Sequence, residues 1–205
     1  RQEINRLLKD GGNLDLVVAR GGYGLIKSIT DKSKVPVLAH SAGGARIYID
    51  KSADLKKAIN ISFDAKCQYP AVCNAMETLI VHKDIAKKFL PQMIDKFKNA
   101  NVEVRGDSLT KSIVKDVKNA SEEDWDTEYN DLVLSIKVVN SLDEAIKHIN
   151  KHSSKHTDAI VTENKKSAEI FRSPPQNRPR KKSLPRGAPS PKSGLCSLVA
   201  KVYIK

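Results

Sequence analysis

Cys73 lies in Lys66-Cys67-Gln68-Tyr69-Pro70-Ala71-Val72-Cys73-Asn74-Ala75-Met76-Glu77-Thr78-Leu79, a proline-led connection between a helical pattern and an apolar strand. A thiol on such a turn can face a cleft, and an accessible thiolate is a nucleophile. Spacing alone is a weak signal, because a free cysteine is more often a small buried hydrophobe. The three cysteines, at 67, 73 and 196, form no C-x-x-C pair. That reads as a reducing interior without a disulfide scaffold, and it leaves Cys73 no resolving partner for thiol redox work.

Four other places could carry chemistry. Arg20-Gly21-Gly22-Tyr23-Gly24 follows a strand-like run and opens a helical pattern. That geometry aims backbone N–H groups and a positive helix end at an anion, although a glycine-rich turn is as often plain punctuation. His40 ends a strand, where a structural histidine is more common than a catalyst. Glu128 stands in a polar run and reads on its own as a solvated loop carboxylate. His156 and Thr157 precede a strand and read as a polar loop.

The elements that must position these residues follow from hydrophobic period. Residues 14–163 alternate apolar strand-like runs with amphipathic helical patterns, the signature of an α/β domain. Strands are expected at Leu14–Ala19, Val35–Leu38, Arg46–Asp50, Thr78–His82, Val102–Arg105, Leu132–Val139 and Asp158–Thr162. A helix starts near Leu25, and another, capped by Ser52, carries Leu55, Ile59 and Phe63 on one face. Ile85–Ala100 reads as a helix that Pro91 kinks or splits. Ser141-Leu142-Asp143-Glu144 is a capping box opening a helix to about Asn150, and Lys165–Phe171 is the last helix. Trp125 is left as a surface or packing residue.

At 205 residues the chain is long enough to bury a real core, and 40% apolar with 29% charged residues is ordinary for a soluble protein. No apolar run approaches the roughly 18 residues of a membrane span. The net charge of +12 suggests nucleic acid, but nine Lys/Arg and no acid follow from Arg172 onward. The remaining 27 basic and 24 acidic residues leave only +3, so a nucleic-acid partner is not expected for the body. Residues 172–192 hold six of the nine prolines and seven Lys/Arg, a composition expected to stay disordered. Leu195–Ile204 is apolar, with no evident partner in the fold.

Five collinear motifs resemble one family. Beside the P-x-x-C-N-A-x-E-T-L run around Cys73, Leu16–Leu25 is similar to a strand–PRGG–helix turn, with Ala19 in place of the proline. Pro36–His40 with Tyr48–Leu55 is similar to P-V-x-G-H…Y-V-D-x-S-A-D-L. Glu128–Leu132 and His148–Glu163 match two further segments. The chain thus resembles, over about residues 4–171, the glutamate-5-semialdehyde dehydrogenase (gamma-glutamyl phosphate reductase) family of the aldehyde dehydrogenase superfamily. The wording is especially near the reductase half of eukaryotic delta-1-pyrroline-5-carboxylate synthases.

The resemblance implies an aldehyde dehydrogenase-like fold: a three-layer αβα catalytic domain over 35–171, a remnant of the dinucleotide-binding domain over 1–34, and a basic Pro-rich tail over 172–205. It implies NADPH-dependent reduction of L-glutamyl 5-phosphate to glutamate 5-semialdehyde, in proline biosynthesis, with Cys73 as nucleophile and Cys73 and Asn74 N–H groups as oxyanion donors. Arg20, Gly21, Gly22, Gly24 and Glu128 would hold the cofactor, and His40, His156 and Thr157 the substrate, with no metal. A homo-oligomer, an upstream glutamate kinase domain and a mitochondrial (alternatively cytoplasmic) location are the associated expectations. Gly43-Gly44-Ala45-Arg46 departs from the family's G-I-C-H, which puts that stretch in doubt. The opening at Arg1 and the arginine–proline wording after Phe171 suggest a fragment with a frame-shifted or alternatively spliced end, and a non-catalytic fragment is the alternative.

Overall fold

The computed structural model describes residues 6, 8, 14–21, 23–39, 43–173 and 199–203. The chain divides into two compact units, 1–43 and 44–205. In the first, β1 (Val17–Ala19), α1 (Tyr23–Lys32) and β2 (Val37–Ala39) follow in order, and the strands pair in parallel with Val18 opposite Leu38. A parallel pair needs a crossover, which α1 supplies. Because β2 pairs with β1, this unit runs to Gly43 rather than ending at residue 34.

The second unit contains β3 (Ala45–Ile49), α2 (Leu55–Cys67), β4 (Met76–His82), α3 (Lys83–Asn99), β5 (Glu103–Gly106), α4 (Ser108–Ile113), β6 (Lys118–Asn119), a 3₁₀ turn (Glu123–Trp125), β7 (Val133–Val139), α5 (Leu142–His152), β8 (Thr157–Val161), α6 (Lys165–Arg172) and β9 (Val199–Tyr203). The strands form one parallel sheet in the order β6-β5-β7-β4-β3-β8-β9. Strands β3 and β4 are buried along their whole length, which explains their near-continuous apolar runs. Ile47, Ile49, Leu79 and Val81 pack with Ala58 of α2 and Phe89, Met93 and Phe97 of α3. Tyr48, Ile80 and Ile160 face the other way, onto Ala145 and Ile149 of α5. The result is the expected three-layer αβα arrangement.

Local chemistry corrects several expected details. Asp54, not Ser52, caps α2, accepting from Lys57 N–H at 2.8 Å. The Ser52 hydroxyl donates instead to Asp50, which also takes hydrogen bonds from Tyr48 and Thr162 and so ties β3 to β8. Pro91 lies inside α3, which remains one helix from Lys83 to Asn99. Losing one backbone bond there costs about 3 kcal/mol, outweighed by burial of Phe89, Leu90, Met93, Ile94 and Phe97 at roughly 1.5–3 kcal/mol each. Ser141 caps α5 as expected, but the Glu144 carboxylate accepts from Asn140 N–H, one residue before the cap. Trp125 is buried. Elements α4 and β6 and the 3₁₀ turn are too short to leave a period in the sequence.

The expected disorder of 172–192 falls, from residue 174 on, outside the described residues. Val199–Tyr203, expected to stay out of the fold, adds to the sheet as β9, parallel to β8. It covers an edge of backbone groups that β8 would otherwise present unpaired. Among the described residues no helix is long and apolar enough to cross a membrane.

Candidate active site

The loop carrying Cys73 starts where α2 stops. Gln68 N–H donates to Asp64 O at the helix end, and Pro70 soon after cannot prolong the ladder. Ala75 N–H then closes a turn onto Val72 O at 2.9 Å, leaving Cys73 exposed at the turn. Among the described residues the Cys73 and Asn74 N–H groups donate to no protein acceptor. Cys67 differs: it is half-buried, and burial pushes its thiol up against the opposing pull of Lys66 and Lys96.

Gly44 fixes this loop. Its N–H donates to Cys73 O at 2.8 Å, and the next N–H, of Ala45, donates to Ala75 O at 2.8 Å. Ser154 Oγ donates to the Gly44 carbonyl at 3.5 Å. Gly44 has φ +93°, and a Cβ there would stand 3.1 Å from Glu77 Cγ and 4.0 Å from Glu128 Cγ. The stretch that departs from the family pattern is therefore the stretch that packs the site. Arg46 in it is buried and donates to the carbonyls of Trp125 and His152. Burial lowers the Arg46 pKa, and Asp158, its neighbour in β8, opposes that most strongly.

Glu128 is held from both sides while its own carboxylate makes no hydrogen bond or ion pair among the described residues. Tyr129 OH donates to Asp124 Oδ1 at 2.7 Å and meets Ser135 Oγ at 2.7 Å. Asn130, at φ +55°, donates its N–H to Glu77 Oε1 at 3.2 Å. Burial works against the Asp124 charge, but hydrogen bonds from Ser121, Tyr129 and Arg105 hold its carboxyl down to about 2. Glu77 in turn accepts from Lys66 Nζ at 2.8 Å, with side chains 2% and 0% exposed respectively. Burial raises the Glu77 pKa, and the Lys66 partner counteracts it.

Beside the loop lies a cleft of about 420 Å³ lined by Asn60 and Asp64 of α2 and by Gln68, which caps it, together with Asn74 and Thr157. His156 Nδ1 sits 2.9 Å from Thr157 Oγ1. Of the residues singled out in the sequence, Cys73, Asn74, Glu128, His156 and Thr157 belong to the second unit. Arg20, Gly21 and Gly24 belong to the first, where Arg20 is exposed just after β1 and α1 opens at Tyr23, two residues before the expected start. A Cβ on Gly21 would meet Leu25 Cδ2 at 2.7 Å, while one on Gly24 would meet nothing within 4 Å. Gly22 and His40 lie outside the described residues. Sequence reasoning passed over Lys66, Glu77 and the role of Gly44. The signal was present: Ala58, Ser62 and Lys66 fall at i, i+4 and i+8 on the buried face of α2, and Glu77 interrupts an apolar strand.

The aldehyde dehydrogenase family profile matches residues 2–112. The gamma-glutamyl phosphate reductase of Trichodesmium erythraeum is 51% identical over 171 residues, covering 83% of this chain and 40% of the relative. That of Nostoc punctiforme is 48% identical, over 83% and 39%. The crystal structure of gamma-glutamyl phosphate reductase from Thermotoga maritima superposes with a TM-score of 0.81 at 47% identity, covering 83% of this chain and 41% of that one. The chain spans about two fifths of the length of these relatives. With the profile over more than half its residues and the αβα sheet in place, the chain belongs to the aldehyde dehydrogenase family.

Proposed function

We propose that this chain is the catalytic portion of an NADPH-dependent gamma-glutamyl phosphate reductase, with Cys73 as its nucleophile. One observation carries the reading: an exposed thiol on a turn pinned by Gly44, beside two N–H groups with no acceptor among the described residues, and the Glu128 carboxylate next to the same glycine. The Cys73 thiolate attacks the acyl carbon of L-glutamyl 5-phosphate, forming a C–S bond. The C–O bond to phosphate breaks, and phosphate leaves with the electron pair. The Cys73 and Asn74 N–H groups stabilise the oxyanion that develops, a contribution worth about 2.7–4 kcal/mol per donor in acyl-transfer sites. Splitting the reduction into acyl transfer and hydride transfer replaces one difficult step by two easier ones.

The aldehyde dehydrogenase family is nicotinamide dinucleotide-dependent. The half-buried Glu128 carboxylate, without a partner among the described residues, suits two ribose hydroxyls. Within the first unit taken by itself, exposed Arg20 and the start of α1 at Tyr23 suit a phosphate. Bound NADPH would supply the hydride that converts the thioester to the semialdehyde and returns Cys73 as a thiolate. Asn74 and Thr157 border the cleft in which the glutamyl chain is held, with His156 orienting Thr157.

The test is NADPH oxidation by the chain completed to the length of its relatives, with glutamyl phosphate generated in place by a separate glutamate kinase. Cys73→Ala should abolish semialdehyde formation, and Cys67→Ala should leave most of it; equal losses refute the assignment.

A further inference from the structure

We infer that Glu77, neutralised by Lys66, is a positioning residue that locks the Cys73 turn and the Glu128 loop into one rigid unit. Lys66 is the last buried residue of α2 before the turn, and Glu77 is the second residue of β4 after it. Their 2.8 Å ion pair therefore closes the base of the connection that carries Cys73. The two carboxylate oxygens are divided: Oε2 takes Lys66 Nζ, and Oε1 takes the N–H of Asn130, two residues past Glu128. The Glu77 stem packs against Gly44, whose N–H grips the Cys73 carbonyl. One side chain thus touches all three segments of the site while touching none of the groups that would react.

Charge is what makes this choice specific. A buried ion pair adds little net stability against an apolar pair of similar size, whereas one partner left alone is strongly destabilising. The pair is therefore poor as mere filling. An apolar residue at 77 could fill the space but could not accept from Asn130, and a carboxylate without Lys66 could not remain charged in that position. As a statement about catalysis this rests on the reductase reading of Cys73; as a statement about structure it does not.

The experiment compares amide hydrogen exchange in the 205-residue chain for the parent, Glu77→Gln, Lys66→Met and the double variant Lys66→Met/Glu77→Leu. The double variant should remain folded, with slow exchange at Tyr48 and Leu79 in the sheet. Its Gly44 and Asn130 amides should nonetheless exchange at least tenfold faster than in the parent. Either single variant should unfold more readily in urea than the double. If the double variant keeps both Gly44 and Asn130 as protected as the parent, Glu77 is only packing and the inference is overturned. If Gly44 and Asn130 rise only together with Tyr48 and Leu79, the effect is global and the inference is likewise overturned. In the chain completed to family length, a folded double variant should lose about 100-fold in turnover, the scale expected for misplacement by about 1 Å. Loss of protection without loss of turnover refutes the catalytic half alone.

Discussion

Replacing Gly44 by alanine should cost the second unit about 2–3 kcal/mol, and the reason is local. At φ +93° an L-residue carries a backbone penalty of roughly 1–3 kcal/mol. The added methyl would also sit 3.1 Å from Glu77 Cγ. That carbon cannot easily give way, since its carboxylate is anchored by Lys66 and by Asn130 N–H. Trp125 is the single tryptophan and is buried in the second unit, so its fluorescence follows the unfolding of that unit in urea or on heating. A loss of about 2–3 kcal/mol corresponds to about 5–10 °C in Tm for a unit of this size. Gly24→Ala is the control. It lies in α1 of the first unit, where a Cβ meets nothing within 4 Å, and alanine in a helix is favoured by roughly 0.5–1 kcal/mol. It should leave the Trp125 transition where it is. If Gly44→Ala unfolds within about 0.5 kcal/mol of the parent, below the cost of a forbidden φ, the claim that Gly44 pins the Cys73 turn is wrong.

Other expectations follow from the same geometry. Iodoacetamide should label exposed Cys73 ahead of Cys67, whose thiol burial pushes up; peptide mapping that finds Cys67 first removes the basis for choosing between them. Asp124, held down to about 2 in the fold, contributes stability that is full above the unfolded carboxylate range near 4 and is lost as pH falls toward 2. Asp124→Asn should therefore cost about 2 kcal/mol at neutral pH, at roughly 1.4 kcal/mol per pKa unit, and the gap to the parent should close in acid. A gap that stays constant with pH contradicts that account of Asp124. Pro91 is exposed on α3, so Pro91→Ala restores a helix bond without loss of core and should raise stability by about 1–3 kcal/mol; a fall in the urea midpoint would show that the ring supports the helix.

Much of the fold was legible because both faces of its sheet are buried. The apolar runs at 46–50, 78–82 and 132–139 could hardly lie anywhere but in the middle of a parallel sheet, and they form β3, β4 and β7. The helices read by period also hold; at Pro91 the helix is not split, because propensity there yields to the Phe89–Phe97 face. What escaped is what periodicity cannot carry. Element β6 has two residues, and α4 has six, capped by Asp107. Strand β9 depends on an open neighbour edge rather than on its own pattern. The same holds at the site. Cys73, Glu128 and Thr157 became candidates through motif wording alone, whereas Gly44 and the Lys66–Glu77 pair act through contacts made between residues 11 or more apart in the chain. A lysine and a glutamate on buried faces of adjoining elements are a visible anomaly, but only the fold shows that they answer each other.

The most direct test of the account is to trap the acyl enzyme. The chain completed to family length would be mixed with glutamyl phosphate, generated in place by a glutamate kinase, without any nicotinamide cofactor, then quenched in acid and digested for mass spectrometry. The account predicts that the peptide containing Cys73 gains the mass of one glutamyl group, that hydroxylamine removes it, and that Cys73→Ala never acquires it. A glutamyl adduct on Cys67 or Cys196, or none on Cys73 while the enzyme still turns over once NADPH is added, would contradict it.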